Sequence, residues 1–129
     1  MPVAVINRRV DQSVSIPTYQ TLDATPIQVS MLSVPEGTTV HAVVYIIARA
    51  TDGTSRSWHI ERTGKNSGAG VVAVGAAPAV VGESDAGAAA WSVALSVVGS
   101  DVMLNLTGDA AKTVWWTVVN DYLLLSTNA

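Results

Sequence analysis

The sequence predicts an all-β protein, an antiparallel β-sandwich or jelly roll with an extended N-terminal arm. Three observations carry this. The last third holds three runs of period-two alternation: Trp91, Val93, Leu95 and Val97 against Ser92, Ala94 and Ser96; Val102, Leu104 and Leu106 against Asp101, Asn105 and Thr107; and Val114, Trp116 and Val118 against Thr117 and Asp121. Successive side chains of a strand point to opposite faces, so such alternation marks half-buried strands. The 49% apolar content includes no Phe and leans on Val and Ala, and the branched Cβ of Val packs well on a pleated sheet. Finally, the runs are separated by turn chemistry, and helical periodicity is nearly absent.

Residues 1–25 read as an irregular arm. Val3 to Ile6 can pair briefly, after which Asn7, Arg8, Arg9 and Asp11 break the pattern. Such a segment either frays or reaches across a neighbouring subunit. The sandwich is expected over 26–129. Ile27, Val29 and Met31 alternate in a short strand, and Pro35-Glu36-Gly37 is a turn. Thr39 to Ala50 is the longest strand, with Val40, Ala42, Val44, Ile46 and Ala48 on one side and His41, Val43, Tyr45, Ile47 and Arg49 on the other. Both sides are partly apolar, so this strand is expected to be central. Thr51-Asp52-Gly53-Thr54 forms a hairpin turn, and Ser55 to Thr63 returns with Trp58 and Ile60 inward and His59 and Glu61 outward. Gly64 to Gly68 reads as a flexible loop. Val71 to Val74 and Ala79 to Val81 read as short strands, and Gly82 to Ala90 as a connecting loop. The three strands of the last third follow.

A chain of 129 residues fits one domain. Only 13% of its residues are charged, against about 25% in ordinary soluble domains, which implies a surface partly covered by partners. The net charge of −3 is spread without a basic patch, so nucleic-acid binding is not expected. No apolar run is long enough for a transmembrane helix, and the N-terminus lacks a signal-peptide pattern. The absence of cysteine removes disulfides, thiolate metal sites and thiol catalysis.

Few residues are suited to chemistry, so no catalytic, cofactor or metal residue is assigned and the chain is not expected to be an enzyme. His41 and His59 fall on outward sides of adjacent strands, with Glu61 as the available third ligand for a metal. The plainer reading is a pair of surface histidines. Glu83 and Asp85 share a loop that lacks the further oxygens of a calcium or glycosidase site. Trp58, Trp91 and Trp116 have inward parity and belong to the core. Trp115 has the opposite parity and emerges near Val119 and Leu123. An exposed Trp serves either as a platform for a sugar ring or as an interface anchor, and aliphatic neighbours favour the interface.

The stretch from about Val40 to Leu125 resembles a β-sandwich domain that recurs in virion proteins of tailed bacteriophages. The resemblance rests on Ile47-Ala48-Arg49, on Ser57-Trp58-His59-Ile60-Glu61-Arg62-Thr63-Gly64 and on Ala86-Gly87-Ala88-Ala89-Ala90-Trp91-Ser92-Val93. It continues in Val102-Met103-Leu104-Asn105-Leu106-Thr107-Gly108 and in Lys112-Thr113-Val114-Trp115-Trp116-Thr117-Val118-Val119. Such domains occur at tail-fibre tips and as small proteins that decorate or cement capsids. The chain opens with its own Met and carries no shaft sequence, which points to the second role. The resemblance implies no catalytic residues and no cofactor. It implies a homo-oligomer, expected as a trimer, made in the host cytoplasm and seated on the major capsid protein at the virion surface, with no membrane partner. Arg8 and Arg9 of the arm, with Trp115, Val119 and Leu123, are the expected subunit or capsid contacts. The alternative is a receptor- or glycan-binding module of a tail fibre.

Overall fold

The computed structural model describes residues 3–10 and 18–128, with side chains described over 18–127. Among the described residues nine strands run β1 (Val3–Val10), β2 (Thr18–Thr21), β3 (Ile27–Ser33), β4 (Thr38–Ala50), β5 (Ser55–Asn66), β6 (Val71–Ala73), β7 (Ser92–Val98), β8 (Asp101–Thr107) and β9 (Val114–Asn128). The described helical structure is one 3-10 turn, Ala86–Ala88. The strands form two antiparallel sheets. The larger has the order β1-β9-β4-β5-β6 with β2 also on β9, and the smaller has the order β3-β8-β7. The predicted β-sandwich is the observed fold.

The alternation in β4 shows why. Val40, Ala42, Val44, Ile46, Ala48 and Ala50 are all buried, while their odd-numbered neighbours face away from the core. As expected, β4 is central, paired with β5 through Ile46↔Trp58 and with β9 through Ile46↔Val118. Trp58 and Ile60 from β5, Trp116 from β9, and Leu104 and Leu106 from β8 complete the main core. Trp58 and Trp116 stack with centroids 5.4 Å apart, and Trp91 tilts against Trp116 at 6.3 Å. Aromatic pairs in such offset or tilted arrangements gain more than their buried area alone supplies. The Trp116 Nε1 donates to Thr21 Oγ1 at 3.0 Å, tying β2 to the core.

Several elements depart from expectation. The first strand does not stop at Ile6. It continues through Asn7, Arg8 and Arg9 to Val10, paired along β9 from Val3↔Asn128 to Val10↔Asp121. Pairing at a sheet edge is made by the backbone, so polar residues that would disrupt a core strand do not end it. A bulge between Ser30 and Leu32 breaks the simple alternation of β3, and Leu32 rather than Met31 is the buried residue. Gly64 to Asn66 is not a loop but the end of β5, held by Val40↔Gly64 and Thr38↔Asn66 and, on its other side, by β6. Asn66 is buried, its Nδ2 donates to Val34 O at 2.8 Å and its Oδ1 accepts from Gly68 N at 2.9 Å. A side chain that satisfies backbone groups in this way ends a strand without leaving buried polar atoms unpaired.

Ala79 to Val81 does not form a strand. One bridge, His59↔Val81, starts an irregular edge that continues with Arg56↔Ser84. Ser57 N donates to Glu83 O at 2.8 Å and Asp85 N to Ser55 O at 3.0 Å. Gly82 permits this approach, because a Cβ there would collide with the Ser57 carbonyl oxygen. Gly82 to Ala90 is therefore anchored rather than a free connection. Asp85 Oδ2 accepts from Ser55 N at 2.9 Å. Arg56 lies over the Trp58 ring at 4.9 Å, with Nη1 within 3.1 Å of the carbonyl oxygens of Ala88, Ala89 and Trp91. Its two Nη1 hydrogens serve two of these three acceptors at a time.

The hairpin turn between β4 and β5 has the expected chemistry. Gly53 takes φ of 92°, a left-handed conformation that glycine adopts without strain. Asp52 Oδ1 accepts from Thr54 N at 2.9 Å, and Lys112 Nζ lies 3.2 Å from Asp52 Oδ2. The Thr54 backbone N–H, then its side chain, then Lys112 hold the Asp52 carboxyl down at about 2, against an ordinary 3.8. A depressed carboxylate stabilises the fold above its unfolded value, and that contribution is lost as pH falls through the folded value. The Asp52 carboxyl carbon should therefore titrate by NMR with a midpoint near 2. Lys112→Met should raise that midpoint only slightly, since the main cause is the Thr54 N–H. A wild-type midpoint near 3.8 would contradict this account.

Candidate functional site: the outward face of the large sheet

Strand pairing assembles an outward face whose members are far apart in sequence. Across one row, Val81 meets His59, His59 pairs with Tyr45, and Tyr45 pairs with Val119. The next row runs Ser57, Ile47, Thr117 and Thr18. Toward the hairpin come Ser55, Arg49, Trp115 and Gln20, and toward the other end Glu61, Val43 and Asp121, then Thr63, His41 and Leu123. Ile47 and Val81 are each 62% exposed, and Tyr45 and Trp115 each 48%. Single exposed apolar residues are ordinary on any protein, whereas here several adjoin on one face of the sheet.

The histidines sit beside this apolar centre. His59 stacks on Tyr45 with centroids 4.9 Å apart and planes at 11°. His41 Nδ1 is 2.9 Å from Thr63 Oγ1. Glu61 lies between the two rings, its Oε1 3.2 Å from His59 Nε2 and its Oε2 3.8 Å from His41 Nε2. The His59 Nε2 contact is not an aligned hydrogen bond, since that atom is covered yet has no partner of hydrogen-bonding geometry. The structure thus brings His41, His59 and Glu61 together as sequence parity suggested. Among the described residues, however, no group of three or more His, Cys, Asp or Glu side chains is placed to hold a metal ion. Glu83 and Asp85 lie on the anchored edge beside β5, where Asp85 is engaged with Ser55.

Of the expected contact residues, Trp115 and Leu123 are exposed on this face and Val119 is partly buried on it. They lie four residues apart along β9, about 13 Å per step, so no single small ligand touches all three. Across the strands Trp115 is paired with Gln20 and Arg49, with Ile47 diagonal to it on the same face. Arg8 and Arg9 pair with Leu123 and Tyr122 through the backbone, and their side chains lie outside the described residues. Tyr45, Ile47 and Val81, which form the apolar centre, are not among the contact residues expected from the sequence. Tyr45 and Ile47 were visible as the partly apolar second side of the run Thr39 to Ala50, which β9 exceeds in length by two residues, but joining them to Val119 required the β4–β9 register.

No helix among the described residues is long and apolar enough to cross a membrane. No protein-family model matches the chain, and no curated protein is found to be similar to it.

Proposed function

We propose that this chain is a non-enzymatic structural protein of a tailed-bacteriophage virion, which decorates and cements the capsid through subunit-subunit contacts made by the outward face of its large sheet. The observation that carries the reading is that face itself, an adjoining exposed set of Tyr45 and Ile47 from the central strand and Val81 from the irregular edge beside β5. The resemblance of the stretch from Val40 to Leu125 to virion β-sandwich domains supplies the setting. The low charge content agrees with a surface covered in an assembly. Burying apolar area stabilises by about 25 cal/mol per Å², so a modest contact repeated over many copies reinforces a shell. The histidines take part in contacts with Thr63, Tyr45 and Glu61 and are read as components of the face rather than as catalysts.

The polar neighbours of Trp115 favour one second reading, a tail-fibre module that stacks Trp115 on a sugar ring between Gln20 and Arg49. One experiment separates the two. An epitope-tagged copy is expressed during infection by the encoding phage, and the particles are fractionated into capsids and tails. Recovery on capsids at many copies per shell is the expected result. Recovery on tails, with glycan-array binding lost in Trp115→Ala, establishes the module instead. Absence from both fractions rejects both readings.

A further inference from the structure

We propose that the outward face pairs with the same face of a second copy of this chain, about a two-fold axis that crosses β4 at the level of Ile46. The inference rests on reading this face as a contact surface and specifies its partner and symmetry. Sheets stacked face to face keep their strands within about 30° of alignment, so two in-plane axes are available. An axis running along β4 lays Arg49 on Arg49 and sets β5 of one copy over β9 of the other, which brings Glu61 against Asp121. Both contacts join like charges. An axis crossing β4 inverts the strand direction and keeps β4 over β4. The row of Arg49 then lies over the row that holds Glu61, Val43 and Asp121, and the row of Ile47 lies over that of Tyr45. Opposite charges meet at both ends of the contact, and the exposed apolar rows meet at its centre. Arg49 and Glu61 are both exposed, and a self-complementary patch of this kind is what a two-fold interface requires.

The same chain cannot make this ion pair within itself. The two rows are six residues apart along β4, about 20 Å in an extended strand. A charge exchange between the two positions therefore reports on contact between chains.

The test is sedimentation equilibrium of the full chain, with circular dichroism to confirm folding. The wild type is expected as a dimer, twice the 13.4 kDa of one chain. Arg49→Glu and Glu61→Arg should each weaken association roughly tenfold or more, and the double variant should restore it to within about threefold. A trimer, the state the family resemblance implies, overturns the two-fold axis. So does a dimer that neither single reversal weakens, or one that the double variant fails to rescue. Another virion protein as sole occupant of the face would leave the purified chain monomeric, which also overturns the proposal. Capsid recovery is measured separately, so the proposed function can stand or fall without this axis.

Discussion

Trp116→Ala is expected to destabilise the protein by about 3–5 kcal/mol, the usual cost of truncating a buried large aromatic residue. Total stability for a domain is about 5–15 kcal/mol, so this one change removes a large share of it. Trp116 is fully buried between Trp58 and Trp91, and its indole N–H is the partner of Thr21, itself 2% exposed. Truncation leaves a cavity between the sheets and a buried hydroxyl without its donor, so two penalties act together. Trp115→Ala is the control, one residue away and on the opposite face. Substitutions at exposed positions away from special features usually shift stability by no more than about 0.5 kcal/mol. Urea unfolding followed by circular dichroism measures both variants. Comparable losses for the two would contradict the assignment of faces.

Ile47→Lys is expected to have the opposite profile: an intact fold and lost self-association. Ile47 is 62% exposed, so the folded monomer gains a solvated lysine at little cost. In an assembled face the same ammonium must leave water opposite apolar side chains, which is expensive unless a carboxylate meets it. Dissociation is expected to rise at least about a hundredfold, in the range of central interface positions. Concentration-dependent light scattering and thermal melting of the same samples separate the two effects. An unchanged oligomer would show that the contact lies elsewhere. A collapsed melting temperature would show that Ile47 supports the fold itself.

The alternation in the sequence was a faithful guide wherever a strand had one face in the core. Val40 to Ala50, Val102 to Leu106 and Trp116 to Val118 all point as their parity required. It was a poor guide at edges. Val97 has the same parity as Leu95 but is 44% exposed, because β7 is the edge of the small sheet, paired with β8 on one side and with no strand among the described residues on the other. Asn7, Arg8 and Arg9 read as an interruption, yet the backbone there pairs with β9. Gly64 to Asn66 read as a loop by composition, but a thirteen-residue neighbour in β4 offers a partner to the end of β5. The candidate site was legible only in pieces. The outward positions of Tyr45, Ile47, Trp115 and Leu123 followed from period two, and His41, His59 and Glu61 shared a predicted face.

By itself, then, the sequence determined the all-β class, the inward residues of the central strands and the outward parity of Trp115, because period-two alternation is a local property of an extended chain. The tertiary structure alone decided which outward residues adjoin: Val81 beside His59, Tyr45 beside Val119, and Trp115 beside Gln20 and Arg49. Those adjacencies depend on register between strands distant in the chain. Register is set by the combined fit of the core side chains and the backbone ladders, and no local pattern encodes it.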